Sequence, residues 1–251
     1  MIIIKSPREI EMLKKANSIV AEVLERLRKT VAPGATTKEL DQIAEETILS
    51  RGAIPAFKGY RGFPATLCVS INEEVVHGIP NQRKLKDGDI VSLDVGTDFN
   101  GYFGDAAITL PVGRVDQGAQ KLLEVTQKAL HIGIEEARIG HRLFDISHAV
   151  QAWVESQGFS VVRDFVGHGI GRSLHEDPQI PNYGSPHQGP RLEKGMVFAL
   201  EPMVNEGTFP VRILSDGWTV VTADGKRSAH FEHSIVITDG EAEILSVIQG
   251  K

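Results

Sequence analysis

Four acidic residues stand where their neighbours predict buried strands. Asp94 sits among Ile90, Val91, Leu93 and Val95, and Asp105 between Gly104 and Ala106-Ala107-Ile108. Glu201 ends the apolar run Met196–Leu200, and Glu232 lies inside His230–Ile237. A lone carboxylate is costly to bury unless it is paired or binds a metal. Singly, each admits a plainer reading as a strand end at the surface or a structural ion pair. As a set of four, two in each half of the chain, they point to a metal cage. His168, in Val166-Gly167-His168-Gly169-Ile170-Gly171, is the candidate nitrogen ligand. Its flanking glycines would let backbone or ligand approach closely. A phosphate-cradling loop is disfavoured there, because the full G-x-G-x-x-G is absent and Glu176-Asp177-Pro178 bars the helix that should follow.

Charge sets the number of ions. One divalent ion would leave two of four carboxylates uncompensated, whereas two balance the count. Oxygen-rich ligation with one imidazole suits manganese, iron(II), cobalt or zinc. Paired ions can share a hydroxide and clamp a tetrahedral intermediate, so the expected chemistry is hydrolysis. Other catalytic templates fail: His175-Glu176 is followed by Asp177-Pro178-Gln179 rather than completing H-E-x-x-H, and neither G-x-S-x-G nor a P-loop occurs.

The elements that must position these residues are legible. Ser6-Pro7-Arg8-Glu9 predicts a capped helix start, followed by Ile10, Leu13, Ala16, Val20, Val23 and Leu27 at helical spacing. A second helix is expected from about Lys38 to Ser50, then strands at Thr66–Ile71, Ile90–Val95 and Tyr102–Leu110 with a turn at Asn100-Gly101. Leu122 to Glu136 and Ile146 to Val154 predict two more helices, and Val161–Val166, Met196–Val204 and His230–Thr238 three more strands. The second half echoes the first. Leu85-Lys-Asp-Gly-Asp-Ile-Val-Ser-Leu-Asp94 aligns with Leu192-Glu-Lys-Gly-Met-Val-Phe-Ala-Leu-Glu201, a displacement from 94 to 201 of 107 positions. Gly34 and Gly140 are 106 apart, as are Gly52 and Gly158. The expectation is one α+β domain over 1–251, built of halves at roughly 1–112 and 113–251 with the site between them.

Composition bounds the rest. A chain of 251 residues can bury a substantial core. A net charge of -6 argues against a broad basic nucleic-acid surface. The single cysteine, Cys68, excludes an internal disulfide and suits a cytoplasmic setting. Neither a signal peptide nor an apolar stretch of membrane-spanning length is recognisable.

These motifs carry a resemblance to a known family. Asn72-Glu73-Glu74-Val75-Val76-His77-Gly78-Ile79-Pro80, Leu93-Asp94-Val95-Gly96, Gly104-Asp105-Ala106-Ala107, Gly167-His168-Gly169-Ile170-Gly171, Leu174-His175-Glu176-Asp177-Pro178, Glu201-Pro202-Met203 and Phe231-Glu232-His233-Ser234 run in family order over nearly the whole chain. The chain resembles the type I methionine aminopeptidases. The resemblance implies the pita-bread fold, two pseudo-symmetric halves with antiparallel sheet covered by helices. It implies removal of the initiator methionine from nascent chains, before a small second residue, at a dinuclear centre. Asp105 and Glu232 would bridge two ions, His168 and Glu201 would complete one shell and Asp94 the other. Glu201 would act as general base, His175 would stabilise the tetrahedral intermediate, and His77 would contact the scissile amide. Tyr60, Cys68, Leu174 and Trp218 would line the methionine pocket. Leu174 stands where the family often has phenylalanine, and Phe57 where some members have cysteine, which implies a slightly reshaped pocket. The 26 positions from His175 to Glu201 leave no room for the inserted subdomain of type II members, and nothing before Ser6 would hold a zinc-binding extension. The family pattern further implies a monomer meeting nascent N-termini at the ribosome exit region, with neither nucleic acid nor membrane as partner. Two rivals share the fold: a proline-specific relative such as aminopeptidase P or a prolidase, and an inactive binding module.

Overall fold

Four helices carry the local signals through. The computed structural model describes residues 1–248. Helix α1 (Pro7–Thr30) opens on Ser6, whose hydroxyl accepts from the Glu9 N–H while the Glu9 carboxylate accepts from the Ser6 N–H. Helix α2 (Thr37–Ser50) repeats that capping box with Thr36 and Glu39. Helices α3 (Gln117–Glu136) and α4 (Leu143–Ser156) form the second pair. The pairs end alike: Gly34 and Gly140 both have φ of +95°, and Gly52 and Gly158 have +67° and +84°. Only glycine adopts this left-handed backbone without strain, which is why the spacing is visible in the sequence. Isolated backbone pairings recur too, Thr36 with Lys84 and Arg142 with Arg191.

The described strands form four antiparallel sheets. In the first, Ile90–Asp98 runs between Leu67–Ile71 and Phe103–Pro111. The hairpin joining Ile90–Asp98 to Phe103–Pro111 turns on Asn100 and Gly101, with φ of 55° and 76°. Two successive positive φ angles match the right-handed twist of the strands, so this short loop locks the register. In the second half, Val197–Leu200 runs between His233–Val236 and Gly167–Gly169. A third sheet sets Met203–Asn205 between Ser228–His230 and Ser160–Val161, and a fourth pairs Val220–Thr222 with Val211–Ile213 and Glu74–Val76. One apolar core draws on both halves, including Val20, Leu93, Ile108, Leu122, Leu200 and Ile235. No described helix is long and apolar enough to cross a membrane.

Three expected strands are corrected. Met196–Val204 is broken at Glu201-Pro202, and His230–Thr238 at Phe231-Glu232. At both breaks the chain passes from one sheet to another, and Pro202 has no N–H to continue a ladder. Val161–Val166 keeps only Ser160–Val161 as strand. Beyond it the Arg163 guanidinium lies over the Phe209 ring at 4.2 Å, and Asp164 and Phe165 turn to wall a cavity.

Candidate active site

The first sheet delivers two carboxylates to one face. Asp94 is paired across the ladder with Ala107 and with Cys68, and Asp105 is paired with Gly96. Gly96 and Asp94 share a face because strand side chains alternate, so Asp94 and Asp105 are diagonal neighbours. Asp105 is tied at both backbone groups. Its N–H donates to Asn17 Oδ1 at 3.2 Å, and its carbonyl accepts from the Ser234 hydroxyl at 2.8 Å. Gly104 permits the first tie: a Cβ there would lie 2.7 Å from the α1 backbone at Ala16 and Asn17.

The two glutamates occupy the sheet-to-sheet crossovers. The Glu232 N–H donates to the Ala107 carbonyl at 2.8 Å, joining the halves, and Asn182 Nδ2 donates to the Glu201 carbonyl at 3.0 Å. An acid at such a break has its backbone held by non-ladder partners while its side chain turns inward. The sequence could not show this, because an interrupted strand and a continuous one carry the same apolar pattern.

His168 completes the group. Its Nδ1 lies 2.9 Å from the Gly169 carbonyl, which can only accept, so Nδ1 carries the proton and Nε2 presents its lone pair. That Nε2 stands 3.7 Å from Glu201 Oε1 and 3.9 Å from Asp105 Oδ2. Burial, and then the neighbouring His175, lower the His168 pKa to about 3, so the ring is neutral. The flanking glycines have a simpler reason than ligand approach. A Cβ at Gly167 would lie 2.5 Å from the Ala199 carbonyl oxygen, and one at Gly169 would lie 2.1 Å from that of Asp177. Gly169→Ala is therefore expected to destabilise the fold by about 1–3 kcal/mol through overpacking and to weaken metal binding by moving His168. Thermal melts with and without manganese check it.

Burial raises all four carboxylates: Asp94 to about 7, Glu201 to about 8, and Asp105 and Glu232 well above the usual range. Mutual repulsion adds to the effect at Asp105 and Glu232. Among the described residues no lysine or arginine pairs with them. Asp94 Oδ1, Asp105 Oδ1 and Glu232 Oε1 are buried without any hydrogen-bond partner. Ligating atoms of Asp105, His168 and Glu232 lie within 4.8 Å of one another, as do those of Glu201, His230 and Glu232. Unpartnered anionic oxygens facing a histidine lone pair repel unless a cation sits among them, so the donor set fits divalent metal.

A cleft of about 340 Å³ opens onto this cluster, and every site residue expected from the sequence lines it, from Tyr60, Cys68 and His77 to Leu174, His175 and Trp218. The His175 ring packs against His168 at 4.2 Å, and its Nδ1 lies 3.0 Å from the Tyr60 hydroxyl. His77, at a left-handed φ of 59°, stands edge-on to Phe165 and Trp218. Phe63 meets Trp218 at 5.2 Å. Phe63, Phe165 and His230 were absent from the sequence reading. The two aromatics carry no pattern distinct from core. His230 had one signal, its position two residues before Glu232 in the single strand expected there.

The profile of Metallopeptidase family M24 matches residues 11–239. Methionine aminopeptidase 1 of Bacillus subtilis is 58% identical over 246 residues, covering 98% of this chain and 99% of its own. The crystal structure of a methionine aminopeptidase from Thermotoga maritima superposes with a TM-score of 0.97 at 52% identity, covering 98% of this chain and 100% of that one. The prolidase of Pyrococcus furiosus shares the fold at a TM-score of 0.78 and 22% identity, with 97% of this chain matching only 65% of that one.

Proposed function

The chain belongs to metallopeptidase family M24, and from that premise we propose that it is the hydrolase that removes the initiator methionine from nascent proteins, preferring a small second residue. The observation that carries this reading is the buried group of unpartnered carboxylates around the His168 lone pair, opening onto an apolar cleft. It is joined by full-length similarity to enzymes of that name.

Two divalent ions would be held by Asp94, Asp105, His168, Glu201 and Glu232, since two ions balance four carboxylates. When bound, they supply Lewis acidity toward the scissile carbonyl and make water at the site more acidic. Glu201 then accepts the proton of the attacking water at its carboxylate and relays it to the departing amine. The 3.0 Å contact between His175 Nδ1 and the Tyr60 hydroxyl holds the ring, and with the hydroxyl donating, Nε2–H is left to donate to the oxyanion of the tetrahedral intermediate. His77 orients the scissile amide. Cys68, Leu174, Phe57 and Phe63, with Tyr60 and Trp218 packed against them, offer an apolar socket with aromatic walls that suits a thioether side chain. The preferred physiological metal is one of cobalt, manganese, iron(II) or zinc. We read the chain as one catalytic unit of two similar halves, acting as a monomer in the cytoplasm on chains leaving the ribosome.

Metal-free protein titrated with each of the four ions should release methionine from Met-Ala-Ser, far more slowly from Met-Leu-Ser, and nothing from Xaa-Pro peptides. Faster cleavage of Xaa-Pro peptides would assign the proline-specific reaction instead. Activity that survives thorough chelation, or that no metal restores, would remove the metallopeptidase reading.

A further inference from the structure

His230 belongs to this centre. Its Nε2 is buried with no hydrogen-bond partner and lies 3.4 Å from Glu201 Oε2. The two oxygens of Glu201 are therefore divided between two imidazoles, Oε1 facing His168 at 3.7 Å and Oε2 facing His230. The His230 backbone is clamped: its N–H donates to Thr109 Oγ1 at 2.9 Å, and its carbonyl accepts from the same hydroxyl at 2.7 Å. Thr109 has then spent its proton, so Ser92 is the donor in the 2.8 Å contact between those hydroxyls. A ring nitrogen of His230 lies within 4.8 Å of carboxylate oxygens of both Glu201 and Glu232. Leu93 pairs with Ile108 in the first half and Leu200 with His233 in the second, which makes His230 the counterpart of Asp105 and Glu232 the counterpart of Ala107.

We propose that His230 is a positioning residue for Glu201: its Nε2–H donates to Oε2, leaving Oε1 for the metal and fixing the carboxylate for proton transfer. The two ring nitrogens have different surroundings, and only an N–H at Nε2 relieves the contact with an anionic oxygen. This assignment deepens the reading above and rests on it for the step that Glu201 performs.

The test uses the full-length protein and three measurements. In His230→Leu, which has no donor, kcat on Met-Ala-Ser should fall about 10–100-fold with KM changed less than about threefold, the range seen when a partner of a metal ligand is removed. His230→Gln, whose amide can donate over a similar reach, should recover most of that loss. Both variants should still take up the wild-type number of cobalt ions, with an unchanged visible spectrum. Independently of turnover, nitrogen-15 NMR of histidine-labelled protein loaded with diamagnetic zinc, in which Glu201 is ionised, should show His230 protonated at Nε2. Three results would overturn the assignment: wild-type kcat in His230→Leu, a cobalt spectrum altered in both variants, which would make His230 a ligand, or a proton on Nδ1 alone. If His230→Leu does not fold, the glutamine variant and the NMR measurement still decide. A wild-type protein that cleaves no methionyl peptide would refute the proposed function, while the NMR and cobalt measurements would still judge His230.

Discussion

Glu201→Gln is expected to lower kcat by about three orders of magnitude, within the range for loss of a positioned general base combined with loss of a ligand charge. That is about 4 kcal/mol of transition-state stabilisation. The substitution keeps the side-chain shape and its hydrogen bond to Asn182, which is made by the main chain. It removes the carboxylate whose two oxygens face His168 and His230. KM should change little, because Glu201 lies on the metal side of the cleft and the methionine socket is built elsewhere. Manganese well above saturation should not restore the rate, since the missing element is a proton acceptor as well as a ligand. His168→Ala removes the imidazole whose lone pair is turned to the acids and should be as damaging, with weaker metal uptake. Single-turnover kinetics together with metal analysis check both variants. Near-normal kcat and metal content in either would remove the cage as drawn.

Stability without metal should fall as the pH rises from about 6.5 to 8.5. Burial holds Asp94 at about 7 and Glu201 at about 8, with Asp105 and Glu232 higher still than ordinary carboxylates. The unfolded chain releases these protons near pH 4, so above that pH the folded state holds more protons and stability falls as pH rises. The buried histidines act in the opposite sense. Burial lowers His77 and His233 to about 4 and His168 to about 3, so the unfolded chain binds the extra protons below about pH 6.5 and stability rises with pH there. The two trends oppose each other below pH 6.5, and only the carboxylate penalty remains above it. Divalent metal neutralises that charge. At a thousand times its Kd an ion adds about 4 kcal/mol, equivalent to about 10 °C in Tm for a chain of this size. The gain on adding manganese should be larger at pH 8 than at pH 6. Melting curves of chelator-treated protein across this range test it. A flat or rising Tm, with no response to manganese, would show that these acids are not what destabilises the ion-free fold.

Helix starts, the Asn100-Gly101 hairpin and the recurring glycines were legible because each depends on local chemistry: a cap three residues from its partner, or a backbone angle that glycine tolerates. The acids were legible because Asp94 and Asp105 interrupt apolar alternation in a strand that must be buried. Their placement on one face follows from the hairpin register alone. The α+β pita-bread fold and the family were carried by motifs in order along the chain, and the similarity over its full length agrees. Three things were decided only by tertiary structure. Glu201 and Glu232 lie at crossovers between sheets, because each strand is continued by a different neighbour, and partner choice is a long-range property. Gly167 and Gly169 are required by the Ala199 and Asp177 carbonyls, which strand pairing brings against them from either side. The approach of His230 to Glu201 is set by a clamp from Thr109 in the other half. Sequence determines which residues can act; the packing of one half against the other decides which of their atoms face one another.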